Sequence, residues 1–332
     1  MKTVRKRLSD IKGIESEAIC SFLNSHFSTV FHEPAFNRIF SEVFGTEFSY
    51  YVAYDSEENM IGLCPVHSIR KGALRLLYSG LAQYDVPYGG WIYDGQAVHL
   101  GELLESMKFS FNEALAYWSI PQLQTGDYTS IVGKREFQTG IIDLAPPLEE
   151  ILRNNIERQR RQDIRRAARK GVVVEELGGG TVSVFLEQCR HLKEFIGAAP
   201  FPDSFFAKLF DQYHDSGRII ALATKLNEQY LGSGVLIGNR HMTHLWIAGK
   251  PKDPSPNAPR QELLLWESIK WAKQAGSRYY DLCVVESERL PSIAQFKLSF
   301  SKNLVPFFHF TNRNLGYRII SRMQKWLGIS RS

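Results

Sequence analysis

The sequence predicts an α/β chain, α+β in its strand pattern, made of two domains that each place a central, mostly antiparallel sheet between helices. Three observations predict it. The chain is 332 residues long and 44% hydrophobic, enough for two ordinary domains with real cores. Its two halves repeat one order of elements: helices, a meander of strands, a loop, a helix and a strand. Between them stands Pro146-Pro147, which sets the expected boundaries at 1–147 and 148–312, with a basic amphipathic helix over 313–332.

The elements follow in order. Residues 15–45 read as helix with an interruption, and Pro34 suits a helix start. FSYYVAYDSEENMIGLCPVHSIR alternates like a hairpin around the polar tip Asp55–Asn59. ALRLLYSGLAQYDVPYGGWIYD continues as strand and a Gly/Pro-rich loop. HLGELLESMKFSFNEALAYWSI predicts one amphipathic helix, with Leu100, Leu103, Leu104, Met107 and Phe111 on a stripe. Short strands are expected near QLQTG and QTGIIDL. After Pro147 an Arg-rich helix should run to Gly171. VVVEELGGG reads as strand and turn, TVSVFLEQCRHLKEFIG and PDSFFAKLFDQYHDSGR as helices, and 218–249 as strands joined by polar turns.

Composition narrows the function classes. No stretch is long and apolar enough to span a bilayer, and the basic start MKTVRKRLSDIKG leads into no apolar run of the kind a secretory signal needs. Cys20, Cys64, Cys189 and Cys283 are scattered, which reads as reduced thiols in a cytoplasmic protein. The net charge of +5 is unevenly placed. Residues 149–170 carry eight basic and four acidic residues, and 313–332 carry five basic and no acidic ones. Two helical segments thus hold more positive charge than the whole chain nets. Such patches suit phosphate-bearing partners or an anionic membrane face.

Residues 243–300 are the most informative: the strand THLWIAGK, the loop PKDPSPNAP, the helix RQELLLWESIKWAKQAG, then a strand through Asp281 and the close at Phe296-Lys297. This layout resembles an acyl-transfer domain of the GNAT type. With FHEPAF (31–36), PYGGWIYD (87–94), RQRRQDIRRAARKGVVVE (158–175), YYDL (279–282) and AQFKLSF (294–300), the ordered set resembles the FemABX-like transferases, including the peptidoglycan-bridge aminoacyltransferases and their polysaccharide-cluster relatives. The resemblance implies tandem GNAT-like domains that move an acyl or aminoacyl group onto an amine. The donor is then acyl-CoA or aminoacyl-tRNA. The acceptor is then the amine of a glycan or of a nucleotide-sugar or lipid-linked precursor. In 313–332 the apolar stripe Leu315, Ile319, Ile320, Met323, Trp326 and Leu327 with Arg on the other face suits packing on the core or peripheral docking at the inner face of the membrane. Cys283 and Ser301 stand where relatives carry glycines.

Amide formation needs a neutral amine, a route for its proton and stabilisation of an oxyanion. No Ser-His-Asp or Cys-His pattern stands out, so direct attack by the amine is expected. Lys297, just after a strand end, is the candidate for the oxyanion or a donor phosphate, and the resemblance implies a donor-side role for it. Asp94 is similar in position to the loop Asp of relatives that takes the amine proton, and Asp85 in the same loop is the alternative. Asp281 is the third catalytic candidate. Arg38 suits a pyrophosphate. Tyr84, Tyr88, Trp246, Asn257 and Phe296 complete the expected substrate-binding set. The loop PKDPSPNAPRQE lacks the glycines that usually bind a CoA pyrophosphate at a helix N-terminus. His241 and His244 resemble half a metal site with no Cys or carboxylate at ligand spacing, so no metal is expected. The Arg-rich helix offers phosphate contacts to a tRNA or simply joins the domains.

Overall fold

A computed structural model describes residues 1–121, 123, 133–252, 261–285, 288 and 290–326. Up to residue 118 the chain forms β1 (Lys2–Arg7), α1 (Ile14–Ser25), α2 (Pro34–Phe44), β2 (Glu47–Tyr54), β3 (Met60–Lys71), β4 (Leu74–Ser79), β5 (Ile92–Tyr93), α3 (Leu100–Ser106) and β6 (Glu113–Trp118). There follow β7 (Arg135–Asp143), α4 (Leu148–Asn154), α5 (Arg158–Arg169), β8 (Val173–Glu176), α6 (Val182–Phe195), α7 (Asp203–Tyr213) and β9 (Ile219–Leu226). The chain ends with β10 (Gln229–Gly238), β11 (Met242–Gly249), α8 (Gln261–Gln274), β12 (Tyr279–Val284), α9 (Pro291–Leu298), β13 (Leu304–Arg313) and α10 (Leu315–Trp326). Two compact units result: residues 1–137 with 306–332, and residues 138–305. The chain leaves the first unit within β7 and returns to it within β13.

Both units have one topology. In the first the strand order is β1-β2-β3-β4-β6-β13; β2, β3 and β4 form an antiparallel meander, and the crossover through α3 sets β6 parallel to β4. In the second the order is β8-β9-β10-β11-β12-β7; β9, β10 and β11 are the meander, and the crossover through α8 sets β12 parallel to β11. A parallel neighbour needs such a helical crossover. In each unit the strand beyond the parallel pair is antiparallel and comes from outside that run: His309–Arg313 against β6, and Thr139–Asp143 against β12.

The first unit buries Tyr51, Cys64, Trp91, Tyr117 and Phe308 under one face of its sheet and Phe22, Tyr50, Val52 and Leu63 under the other. The motif PYGG is part of this core. A Cβ on Gly89 would sit 2.2 Å from the Gly80 nitrogen, and Gly90 has φ +81°; only glycine permits both. In return the Gly89 N–H donates to the Trp118 carbonyl and the Gly90 N–H to Ser79 Oγ at 2.7 Å. The second core packs α5 and α8 on the sheet through Ile164, Ala167, Leu264, Trp266, Ile269, Tyr280 and Phe300.

Several sequence expectations change. The single helix expected over 99–120 stops at Ser106, and EALAYW becomes β6. The run alternates, and pairing parallel to β4 outweighs its helix propensity. Phe111, expected on the buried stripe, is 64% exposed. The basic start forms the edge strand β1, where Lys and Arg deter further strand pairing. The Arg-rich segment is two helices broken around Asn155–Glu157. The C-terminal helix, expected to stand apart from both domains, belongs over its described residues, Leu315–Trp326, to the first unit. Most of QLQTG lies outside the described residues.

Two predictions follow from this packing. A fragment ending at Pro147 lacks the strand pairing β6 and the buried Phe307 and Phe308. It should show no cooperative thermal transition by circular dichroism, whereas the full chain should. His67 is buried between Asn37 and Thr46, and burial lowers its pKa from 6.5 to about 3. Above pH 6.5 both folded and unfolded imidazoles are neutral. As pH falls below that value only the unfolded chain gains the proton, so stability is lost down towards pH 3. Between pH 7 and 5 the wild type should lose about 2 kcal/mol more than His67→Gln in urea titrations.

Candidate active site

The second unit gathers ionisable groups where β11 and β12 stop pairing. Their parallel register runs Met242↔Tyr279, Thr243↔Tyr280 and His244↔Asp281, and no later pair joins them, although β11 continues to Gly249 and β12 to Val284. On the other side of β12 the register with β7 shifts between Asp281 and Val284. The bulge turns Cys283 into the left-handed region, φ +59°, a conformation a side chain adopts only when its surroundings impose it. Glycine meets such a bend without strain; this chain meets it with a thiol.

Asp281 sits at the centre, wholly buried with His244. His244 Nδ1 lies 2.7 Å from its Oδ2. Its Oδ1 accepts from Thr139 Oγ1 at 2.5 Å and from the Cys283 N–H at 2.8 Å. Burial pushes the Asp281 carboxyl pKa up. The hydrogen bond and charge of His244, with the Thr139 and Cys283 donors, outweigh that and hold it below the ordinary value. The group is a carboxylate clamped by three donors. Cys283 Sγ donates to the Leu245 carbonyl at 3.3 Å, so the thiol reaches from β12 to the residue after His244.

Lys297 comes to the same end of β12. It lies in α9 and not just past a strand, and its Nζ donates to the Val284 carbonyl at 2.8 Å. An ammonium has three donors. Phe296 beside it faces the core, against Phe300 and under the Arg160 guanidinium. Trp246 is a core ring, 7% exposed and packed on Phe205 and Phe206 of α7. Asn257 lies outside the described residues.

The other predicted residues belong to the first unit. Asp94 is a turn residue: its Oδ1 accepts the Gln96 N–H at 2.9 Å, and its carbonyl accepts from Ala97 and Val98. Asp85 closes a 3₁₀ turn with φ +54°. Tyr84 packs against Phe40 and Phe44 of α2, and Tyr88 is buried against Phe31 and Phe307. Arg38 is exposed on the same α2. The loop residues and Arg38 thus belong to the first unit, and Asp281 and Lys297 to the second.

Sequence reasoning missed His244 and Cys283 as partners of Asp281. Sequence spacing offers His244 neither a Cys nor a carboxylate, yet nitrogen, oxygen and sulfur atoms of His244, Asp281 and Cys283 all lie within 4.8 Å of one another. The signal available was the position two residues after Asp281, where Cys283 stands in place of the glycine that the resemblance implies.

Residues 157–297 match the acetyltransferase (GNAT) domain family. Among solved structures, the crystal structure of FemX shares 14% identity over 93% of this chain and 97% of that one, with a TM-score of 0.69. The C-terminal domain of a putative lysylphosphatidylglycerol synthetase from Agrobacterium fabrum shares 12% identity over 94% and 96%, TM-score 0.55. A tandem GNAT protein from the clavulanic acid biosynthesis pathway, solved without AcCoA, shares 11% over 93% and 98%, TM-score 0.50. At these identities the likeness is one of fold. No curated protein matches the chain in sequence.

The clamp around Asp281 makes a stability prediction. Asp281→Asn removes the charge from His244 and turns an amide NH₂ towards existing donors. Loss of one partner of a buried pair costs about 3–5 kcal/mol, and denaturant unfolding should show a loss of that size.

Proposed function

Since the chain is an N-acyltransferase with a GNAT acetyltransferase domain in a FemABX-like fold, we propose that it forms an amide on an amino group of a cell-envelope glycan or of its nucleotide- or lipid-linked precursor. The activated acyl group comes from acyl-CoA or aminoacyl-tRNA. The observation that carries this reading is the end of β12. There a bent backbone, a clamped carboxylate and the Lys297 ammonium converge beside strands that have parted.

Lys297 stabilises the oxyanion or holds a donor phosphate through its ammonium, whose N–H donors suit either and which the Val284 carbonyl positions at the end of β12. Asp94, with Asp85 as alternative, takes the proton of the amine that attacks directly, and Arg38 pairs an acceptor pyrophosphate. The exposed Arg158, Arg165, Arg166 and Arg169 of α5 meet tRNA phosphates if the donor is aminoacyl-tRNA. That donor would make the enzyme a bridge-type aminoacyltransferase acting on a peptidoglycan precursor. Likeness to FemX and to a lysylphosphatidylglycerol synthetase domain supports an envelope acceptor.

The C-terminal helix supports a lipid-linked one. Asn314 fixes α10 to the first unit through the Ser110 carbonyl and the Tyr317 N–H. Beyond that turn Ile319 and Met323 are 44% and 58% exposed beside exposed Arg318 and Arg322. Apolar and basic side chains together suit peripheral contact with an anionic membrane face. No helix among the described residues is long and apolar enough to cross a membrane.

A second reading from another class is a non-catalytic RNA- or glycan-binding module, favoured by the exposed arginines of α5. Transfer of labelled acyl groups from acetyl-CoA or aminoacyl-tRNA to amino-sugar and amino-acid acceptors separates the two. Turnover is expected, with Lys297→Ala reducing it roughly 100-fold or more. No turnover with any pairing, and RNA affinity that follows the α5 arginines and falls steeply with salt, would establish the binding module.

A further inference from the structure

A thiol, an imidazole and a carboxylate lie within 4.8 Å of one another around Asp281, and we infer that Cys283 takes the acyl group from the donor before the amine does. His244 accepts the thiol proton, and Asp281 is the positioning residue that fixes the imidazole. The inference rests on the acyl-transfer reading and replaces only its direct-attack step.

The order of burial gives the direction. Asp281 and His244 are wholly buried, whereas Cys283 is partly exposed, so a substrate meets the thiol and the proton leaves inward. With Nδ1 held on the Asp281 carboxylate at 2.7 Å, the ring is fixed with a nitrogen within 4.8 Å of the thiol, and an imidazole is a side chain that takes up and passes on a proton. A nucleophile, a base and a third group orienting the base are the parts of an activated nucleophile. The bulge supplies the rest. Its left-handed turn at Cys283 lets one residue give its N–H to Asp281 and hold its thiol at the Leu245 carbonyl, next to His244. By contrast the thiol of Cys64, buried beside Ser79 Oγ at 3.2 Å, is pushed up to about 12 by burial.

The same three residue types could suggest a metal, but the carboxylate argues against it. Both Asp281 oxygens already accept hydrogen bonds, three in all. An ion would have to displace the His244 or Thr139 donor, whereas a nucleophile needs Asp281 as it stands.

The step balances without a further reactant. The thiolate sulfur of Cys283 bonds to the donor carbonyl carbon and the carbon–sulfur bond to CoA breaks, or the carbon–oxygen bond to a tRNA 3′ oxygen. The proton passes from Sγ to His244 and on to the leaving thiolate or alkoxide. The acceptor amine then attacks the Cys283 thioester, the amide bond forms, and the sulfur leaves and regains a proton from the amine.

Intact-mass spectrometry of the full chain incubated with acetyl-CoA and no acceptor tests this. One acyl group should appear on wild type, map to Cys283 and be released by hydroxylamine; Cys283→Ser and Cys283→Ala should acquire none as thioester. A second readout follows alkylation of Cys283 by iodoacetamide against pH. The titratable groups around the thiol are His244 from β11 and Asp281 from β12, with Lys297 of α9 bonded to the next residue's carbonyl, that of Val284. The wild-type inflection should lie below the ordinary thiol value of about 8.5. It should move up by about one unit or more in His244→Gln, with circular dichroism unchanged. An unacylated wild-type thiol with an ordinary inflection would overturn the inference, as would full amide formation by Cys283→Ala, which leaves direct attack and the acyl-transfer reading standing. Stoichiometric zinc retained by the purified protein and lost in Cys283→Ala would also overturn it. Acylation of Cys283 with no amide formed from any acceptor supports the thiol's role and points the failure at the acceptor assignment alone.

Discussion

The three hydrogen bonds accepted by Asp281 hold the second unit's site in its shape. They come from β7 through Thr139, from β11 through His244 and from β12's own Cys283 amide. A carboxylate buried without partners would cost several kcal/mol; clamped this way it fixes three neighbouring strands at one level. That level is where the parallel ladder ends. The bulge, the left-handed Cys283 and the reach of Lys297 to Val284 all follow within a few residues. Backbone bending and charge placement are one arrangement here, because the amide that the bend re-aims is the one that the carboxylate accepts.

The first unit makes the same parallel pair and does something different with its end. Beyond Ser79↔Tyr117 the loop carrying Gly89 and Gly90 packs in, bonded to Trp118 and Ser79. The Trp91 N–H donates to Tyr117 Oη. Hydrogen bonds and close backbone contact fill the place where the second unit sets a carboxylate, an imidazole and a thiol. One topology thus ends in packed glycines in one unit and in a buried polar cluster in the other. The family motif PYGG is legible in sequence as a functional loop, yet its glycines are explained by steric fit.

Much of the fold was legible in the sequence because it is local. Pro34 starts α2 at its first position, and Gly45 ends it in the left-handed region. Polar turns separate the meander strands, and the helical stripe Ile164–Ala167 of α5 faces the core. Where the reading failed, a distant partner decided. EALAYW is a strand because β4 and β13 flank it. KTVRKR is a strand because β2 offers an edge. Lys297 is helical because α9 forms after a Pro at its start, and Trp246 is a core ring because α7 covers it.

The sequence by itself determined the α/β class, the two copies of one element order, the Arg-rich helix and the reaction class that its ordered motifs resemble. These rest on periodicity, turn chemistry and spacing along the chain. Only the tertiary structure decided which residues meet. His244 lies 37 positions from Asp281, and Thr139 lies 142; no spacing rule connects them, because the crossover through α8 and the strand from before the second unit's helices bring them together. Strand pairing sets such neighbours, and a chain read in order cannot show them.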